Sequence, residues 1–340
     1  MHRRTLLKGF LAALGLGSRA NPLNPRYHRL AAAYSAAHRG IALLVMVEGQ
    51  VVFEDYPNQG QPQRAHELAS GTKSFWGVLA VAAQQDGLLT LDEPLAQTLE
   101  EWRADPWRSQ ISLRQLLNLT SGIPGGRLAR PPTYAEAIKT PAEAPPGTRF
   151  SYGPIPFQVF GEVLRRKLGG DPLEYLQRRI FRPIGLEYAF WRRGPDGLPH
   201  LPSGAFLTAQ NWALFGELVR RGGLWRGQRV VEAGLLEACF VPSGVNPLYG
   251  LTWWLARPID PAQRRALGPT GRALDPLAST PGLPDDLVLA AGAGDQRLYV
   301  SRKLGLVVVR QAEGIADALL GQRSGFSDAV FLRLLLTGEG

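Results

Sequence analysis

Ser70 and Lys73 stand three residues apart in Ser70-Gly71-Thr72-Lys73, at the start of a segment that reads as helix through Gln85. Positions i and i+3 share one face of a helix, so the lysine amine can reach the serine hydroxyl. A serine alcohol is a weak nucleophile until a neighbouring base takes its proton. A lysine is such a base only where burial or adjacent positive charge lowers its pKa. The chain holds fourteen serines and five lysines, so chance gives roughly 0.2 such pairs and the motif needs support from elsewhere.

Two further stretches could complete the chemistry. Phe150-Ser151-Tyr152-Gly153-Pro154 follows Pro145-Pro146-Gly147-Thr148, a rigid setting for a tyrosine. Beside Lys73, its phenol could share a proton with lysine and serine and pass it to a leaving group. Taken alone, Tyr152 reads more readily as a half-buried packing aromatic. Ala290-Ala291-Gly292-Ala293-Gly294-Asp295-Gln296 places small residues in and after a strand. Lack of side chains there lets a substrate lie against the strand edge, with a backbone N–H free to face a developing oxyanion. The same stretch misses the dinucleotide-binding fingerprint, because Arg297 occupies the third glycine's place and a strand, not a helix, follows.

The elements that must position these groups follow from periodicity and punctuation. Tyr27 to His38 reads as an alanine-rich helix, and Gly40 to Tyr56 as strand–turn–strand around Glu48-Gly49. The Ser70 helix presents Trp76, Leu79, Ala80 and Ala83 at core-facing spacing and ends at Asp86-Gly87. Residues from about 88 to 205 hold helical stretches broken by Pro/Gly loops, with no alternating strands in view. Thr208 caps a helix running from Leu207 to Gly222. Asp286–Gly292, Arg297–Ser301 and Leu304–Gln311 are strand-like, and Ser327 to Leu336 closes as an amphipathic helix. Strands at both ends and helices between them imply one antiparallel sheet built from both termini, with a helical region inserted at about 88–205. Pro/Gly-rich stretches between 255 and 285 read as surface loops near a site entrance.

Composition is that of a globular protein, 45% hydrophobic and 20% charged, and 340 residues imply one large or two intimately packed domains. The N-terminus is a separate object: Arg3-Arg4-Thr5-Leu6-Leu7-Lys8, an apolar run from Gly9 to Gly17, then Ser18-Arg19-Ala20. This reads as an export signal of the twin-arginine kind over residues 1–20, with the folded domain over 21–340 and an exported, periplasmic or extracellular destination. Cleavage after Ala20 would remove four cations and no acid, lowering the net charge from +9 to +5. The remaining charge is dispersed, which argues against nucleic acid as a partner. After cleavage nothing in the chain reads as a stable membrane anchor. The lone Cys239 reads as a packed core thiol. Five histidines lack metal-ligand spacing, and neither a Gly-x-Ser-x-Gly elbow nor a phosphate loop occurs. Trp253-Trp254 reads as sheet packing, with a cleft wall as the alternative.

Ser70-x-x-Lys73, then Tyr152, then a Gly-rich strand near the C-terminus resembles, in that order, the serine β-lactamase-related family. It is most similar to the class C and esterase-like branch, with its D-alanyl-D-alanine peptidases, carboxylesterases and 6-aminohexanoate-oligomer hydrolases. Leu116-Leu117-x-x-Thr120-Ser121-Gly122, Pro146-Gly147-x-x-Phe150-x-Tyr152 and Pro183-Ile184-Gly185-Leu186 resemble further segments of that family. The resemblance, over roughly residues 40 to 335, implies an α+β fold of the β-lactamase/transpeptidase type: an antiparallel sheet flanked by helices, with the site against a mainly helical insertion. It implies Ser70 as nucleophile, Lys73 as its base, Tyr152 as proton shuttle, and an oxyanion hole from the N–H groups of Ser70 and of Ala293, which follows the motif glycine Gly292. No metal or organic cofactor is implied, and the partner is a small-molecule ester or amide. Two departures bear on substrate. The family's Tyr-x-Asn amide is replaced by Pro154, and the cation of its third motif by Ala290 in Ala290-Ala291-Gly292. Each missing group forfeits a charge-assisted contact of about 1.5–3 kcal/mol. The expectation is an ester or amide hydrolase working through an acyl-enzyme rather than an efficient β-lactamase. The alternative is a penicillin-recognising or vestigial binding module.

Overall fold

The structure is a computed structural model that describes residues 20–266, 277 and 280–340. The export signal expected at 1–20 therefore lies, apart from Ala20, outside the described residues, as do 267–276 and 278–279 of the expected loop region. Eleven strands are present among the described residues: β1 (Gly40–Val47), β2 (Gln50–Asp55), β3 (His66–Glu67), β4 (Phe190–Trp191), β5 (Ala205–Leu207), β6 (Leu224–Trp225), β7 (Gln228–Arg229), β8 (Trp254–Leu255), β9 (Val288–Gly292), β10 (Gln296–Ser301) and β11 (Leu306–Ala312). The helices that matter here are α1 (Pro25–Ala37), α2 (Lys73–Gln85), α3 (Ile155–Leu168), α4 (Ala209–Arg220) and α5 (Asp328–Thr337).

Six strands form an antiparallel sheet in the order β2-β1-β11-β10-β9-β8. Joining β1 to β11 unites the two ends of the chain, as the sequence pattern requires. Every residue of β1 and β11 is buried, because helices cover both faces of the sheet. On one side α1 packs on β1 and on α5, with Phe331 of α5 stacked on Tyr299. On the other, α4 lies across β1, β10 and β11, its Gly216 pressed so close to Val307 and Leu298 that a methyl group would clash.

The helix starts follow their caps. Asn24 accepts from the Arg26 N–H ahead of Pro25, Thr208 from Asn211 N–H, and Ser327 from Val330 N–H, each satisfying an orphan donor of the first turn. The α2 helix is apolar all round, buried from Lys73 through Ala83, so it belongs inside the molecule. Phe75 meets Phe215 of α4 and Phe181, while Trp76 meets Trp191 of the helical region.

The region 88–205 is mainly helical, but not free of strands. β3, β5 and β4 form a small antiparallel sheet, which corrects the expectation of helices and loops alone. Strands of two or three residues bury too few side chains to leave an alternating pattern. The loop region expected at 255–285 also includes a short helix, Pro261–Ala266.

Arg310 of β11 is fully buried and ties three parts of the chain together. Its guanidinium donates to Ser35 Oγ (3.0 Å), to the His38 carbonyl (2.6 Å) and to the Asp295 carbonyl (2.7 Å), and lies over the Phe326 ring. Arg310→Met would strand these acceptors in a dry interior; the expected loss is about 2–4 kcal/mol in urea denaturation.

Candidate active site

Ser70 lies in a 3₁₀ turn, Ala69–Thr72, that runs straight into α2. Ala69, just before it, holds φ +45°, a left-handed conformation costing an alanine roughly 1–2 kcal/mol. Strain of this kind is stored where the surrounding structure fixes a functional side chain. Lys73 is 3% exposed, and its Nζ donates to Ser70 Oγ at 3.0 Å and to the Pro202 carbonyl at 2.9 Å. The amine also faces the rings of Tyr152 and Phe157, 5.0 and 5.2 Å from their centroids. Among the described residues no carboxylate makes a salt bridge to it. Burial therefore acts unopposed and pulls its pKa down to about 7.

Tyr152 comes from the loop before α3, its ring centroid 5.0 Å from Lys73 Nζ. Burial pushes its pKa up to about 12, against the lowering influence of the Ser70 side chain and of the Arg297 charge. Glycines hold this loop by backbone-on-backbone contact. A methyl group on Gly153 would lie 2.2 Å from the Gly125 carbonyl oxygen, and one on Gly125 would lie 2.1 Å from that of Tyr152. The Thr120-Ser121-Gly122 segment anchors the other side: Thr120 O accepts from Gly147 N–H, Gly122 O from Glu143 N–H, and Leu119 O from Ser151 N–H.

The third stretch arrives at the edge of the sheet. Gly292 ends β9 against the segment leading into Ser70, and a methyl group there would meet the Leu68 carbonyl oxygen at 2.1 Å. Ala293 opens the turn to β10 and, like Ser70 and Tyr152, lines the large cleft. All five sequence-derived site residues, Ser70, Lys73, Tyr152, Gly292 and Ala293, thus converge where the sheet edge meets the helical region.

The two sequence departures are visible. Pro154 serves as the N-cap of α3 and offers no side-chain donor. Arg297, in the strand that follows the Ala290-Ala291-Gly292 motif, does line the cleft. Its guanidinium, however, is bound to Asp328 at 2.7 and 3.1 Å and to Asp295 at 3.4 Å, and it also donates to the Gly292 carbonyl. Burial opposes the charges of both partners, yet the pairing outweighs it: the Arg297 pKa is raised and the Asp328 pKa lowered.

The cleft has a volume of about 1970 Å³. Trp254, Phe206, Leu128 and Leu319 give it apolar walls. Four of its five arginines are ion-paired: Arg39 with Asp317, Arg64 with Glu313, Arg192 with Glu67, and Arg297 with Asp328. The fifth, Arg323, is exposed. The tryptophan pair divides its roles. Trp253 is fully buried against Phe215 and Phe240, while Trp254 lines the cleft 5.6 Å from the Tyr152 ring. Cys239 is a buried core thiol, as expected. Sequence reasoning missed the Pro202 carbonyl, Phe157, Asp328 and the ion-paired rim. A Pro-Ser-Gly turn at 202–204 is a signal for a loop, but not for a carbonyl aimed at an amine.

Sheet, helical region and the cluster at their seam define the β-lactamase/transpeptidase fold class. The chain belongs to the beta-lactamase family, whose model matches residues 28–316. Lovastatin esterase of Penicillium rubens is 30% identical over 160 residues, 37% of this chain and 40% of that protein. The match thus spans about two fifths of that relative's length. Among solved structures, a penicillin-binding protein homolog from Caulobacter crescentus superposes with a TM-score of 0.69 at 14% identity, covering 93% of this chain and 97% of the other. EstCE1, described as a hydrolase with promiscuous acyltransferase activity, gives a TM-score of 0.65 at 15% identity, covering 88% and 98%.

The lowered Lys73 pKa has a stability consequence. Between about pH 7 and the ordinary lysine value of 10.5, the unfolded chain binds more protons at this position than the folded chain. Stability from this group therefore rises with pH across that window. Lys73→Met should raise the melting temperature most at or below pH 7, with the advantage shrinking as pH approaches 10; thermal melts at several pH values read this directly.

Proposed function

We propose that this chain is a serine hydrolase that cleaves a neutral, bulky ester, or an amide of like character, through an acyl-enzyme on Ser70. The observation that carries this reading is the buried, carboxylate-free Lys73 amine 3.0 Å from Ser70 Oγ. An amine with pKa about 7 is substantially neutral at physiological pH, where it accepts the Ser70 proton as Oγ attacks the acyl carbon. Tyr152, with a pKa near 12, stays protonated and suits the opposite task. It donates to the departing oxygen and is restored from Lys73, and a water then repeats the cycle on the acyl-enzyme. Two groups whose pKa values are driven apart by their surroundings divide the base and acid work. The N–H groups of Ser70 and Ala293 receive the oxyanion.

The substrate reading rests on charge and size. With Asn replaced by Pro154 and four of five cleft arginines ion-paired, little remains to fix a carboxylate, and an exposed rim cation such as Arg323 adds little. Trp254, Phe206, Leu128 and Leu319 favour apolar acyl or alcohol groups, and the cleft volume exceeds the ~300–1,000 Å³ usual for drug-sized ligands. Similarity to lovastatin esterase supports the ester reading. The missing amide and cation also motivate a second reading, a penicillin-recognising or vestigial module with little turnover. The basic, apolar N-terminal segment supports export of the mature domain from the cytoplasm.

p-Nitrophenyl butyrate and a chromogenic cephalosporin, given in parallel to wild type and Ser70→Ala, separate these readings. Expected is ester turnover that vanishes in Ser70→Ala, with little cephalosporin hydrolysis. Stalled acylation without turnover would favour the penicillin-recognising module, and rapid cephalosporin hydrolysis would refute the substrate argument. The kcat for the ester should rise with pH through about 7 as Lys73 loses its proton, and Lys73→Met should lower it by about 10²-fold or more.

A further inference from the structure

Arg297 is a largely buried cation at the site, and its donors are spent on the protein itself. Its Nε and Nη2 hold Asp328 at 2.7 and 3.1 Å, and Nη2 lies 3.4 Å from Asp295. Its remaining arm, Nη1, donates to the carbonyls of Gly292 and Gln296, each at 3.1 Å. Asp328 is itself fixed, accepting from Tyr299 Oη at the start of α5. The guanidinium is thus clamped from behind and presses on the backbone that faces the cleft.

The Gly292 carbonyl and the Ala293 N–H belong to one peptide group. That group is trans, like every described peptide bond, so its N–H points away from its carbonyl and hence away from Arg297. A hydrogen bond from a cation to the carbonyl withdraws electron density through the amide and strengthens the N–H as a donor. It also locks the peptide plane. Arg310 fixes the next corner of the turn through the Asp295 carbonyl at 2.7 Å, and the Gly292 Cα is pinned against Leu68 O. Preorganised donors of this kind act where charge develops in the transition state.

We propose that Arg297 is a positioning residue for the oxyanion hole: it acts through the Gly292–Ala293 peptide, orienting and polarising the Ala293 N–H, rather than binding a substrate carboxylate. This rests on the serine hydrolase reading above, and deepens it. A strand arginine beside the cleft would by charge alone suit an anionic substrate. The carboxylate on Arg297, the second at 3.4 Å, and the two carbonyls on Nη1 leave it a different task.

The test compares wild type, Arg297→Gln and Arg297→Lys on p-nitrophenyl butyrate and on the anionic mono-p-nitrophenyl glutarate, with affinity for phenylboronic acid, which forms a tetrahedral adduct on an active serine, measured alongside. Expected for Arg297→Gln is a fall in kcat of about 10- to 100-fold on both esters, below the ~10²–10³ seen when an oxyanion donor is removed outright. KM should change less than threefold, and boronate affinity should weaken in step with kcat. Arg297→Lys, which keeps charge but not the fork, should fall between, and it carries the same comparison if the glutamine variant does not fold. A KM increase confined to the anionic ester would overturn the proposal in favour of a carboxylate anchor. Unchanged boronate affinity with a displaced pH profile would overturn it in favour of an effect on Tyr152. Unchanged kcat in both variants overturns it while leaving the hydrolase reading intact. A wild type without Ser70-dependent turnover or acylation removes the hydrolase reading, and this inference with it.

Discussion

The site depends on a lysine amine held in a place where no carboxylate answers it. Placing Lys73 in a dry interior is costly for its charged form, and the surroundings offset that cost only in part. The Ser70 hydroxyl and the Pro202 carbonyl accept from Nζ, and the Tyr152 and Phe157 rings present their faces. A carboxylate at this position would relieve the strain and destroy the chemistry, because an ion-paired lysine keeps its proton. Stability given up at one position in return for a usable base is a familiar exchange at active sites. The partners of Nζ are drawn from the 3₁₀ turn before α2, the loop before α3, α3 itself and the turn at 201–204. The interior position of α2 and the seam between sheet and helical region are therefore requirements of this one group.

Four glycines set the remaining distances by the same device. Gly125 and Gly153 bring two loop backbones together behind Tyr152, Gly122 lets its loop close on the Ala144 carbonyl, and Gly292 brings the sheet edge onto Leu68. In each case a methyl group would lie about 2 Å from a carbonyl oxygen, closer than any rotamer change could relieve, since the obstacle is main chain. The segments Thr120-Ser121-Gly122, Tyr152-Gly153 and Ala291-Gly292 thus share a physical meaning that their differing compositions hide. They are the contacts that fix the relative positions of nucleophile, phenol and sheet edge.

Much of this was legible in the sequence, and unevenly so. The Ser70/Lys73 spacing, the terminal strands, the Thr208 cap and the helix starting at Ser327 are local signals, and the structure carries each of them almost where the pattern puts it. The β3-β5-β4 sheet was hidden because its strands are two or three residues long. Trp253 and Trp254 could not be apportioned from adjacency alone, since alternation sends neighbours to opposite faces but does not say which face is the cleft. Arg297 was recognisable as a cation beside the motif glycine. Its capture by Asp328, thirty-one residues later, depends on how α5 docks on the sheet, which no local pattern encodes.

Charge at the cleft makes a different statement from charge on the chain. The full sequence carries a net +9, which would by itself suggest an anionic substrate. Around the site that excess is cancelled pair by pair: Arg39, Arg64, Arg192 and Arg297 each meet an acid, three of them from the 313–328 segment. Partly exposed pairs of this kind contribute little to stability, about 0–1 kcal/mol each. Their larger effect is on recognition, because a guanidinium already committed to a carboxylate must give up that partner before it can take another. The 313–328 segment therefore shapes the site twice. It removes the charge that would attract a carboxylate, and through Asp328 it directs the Arg297 guanidinium onto the backbone of the strand edge.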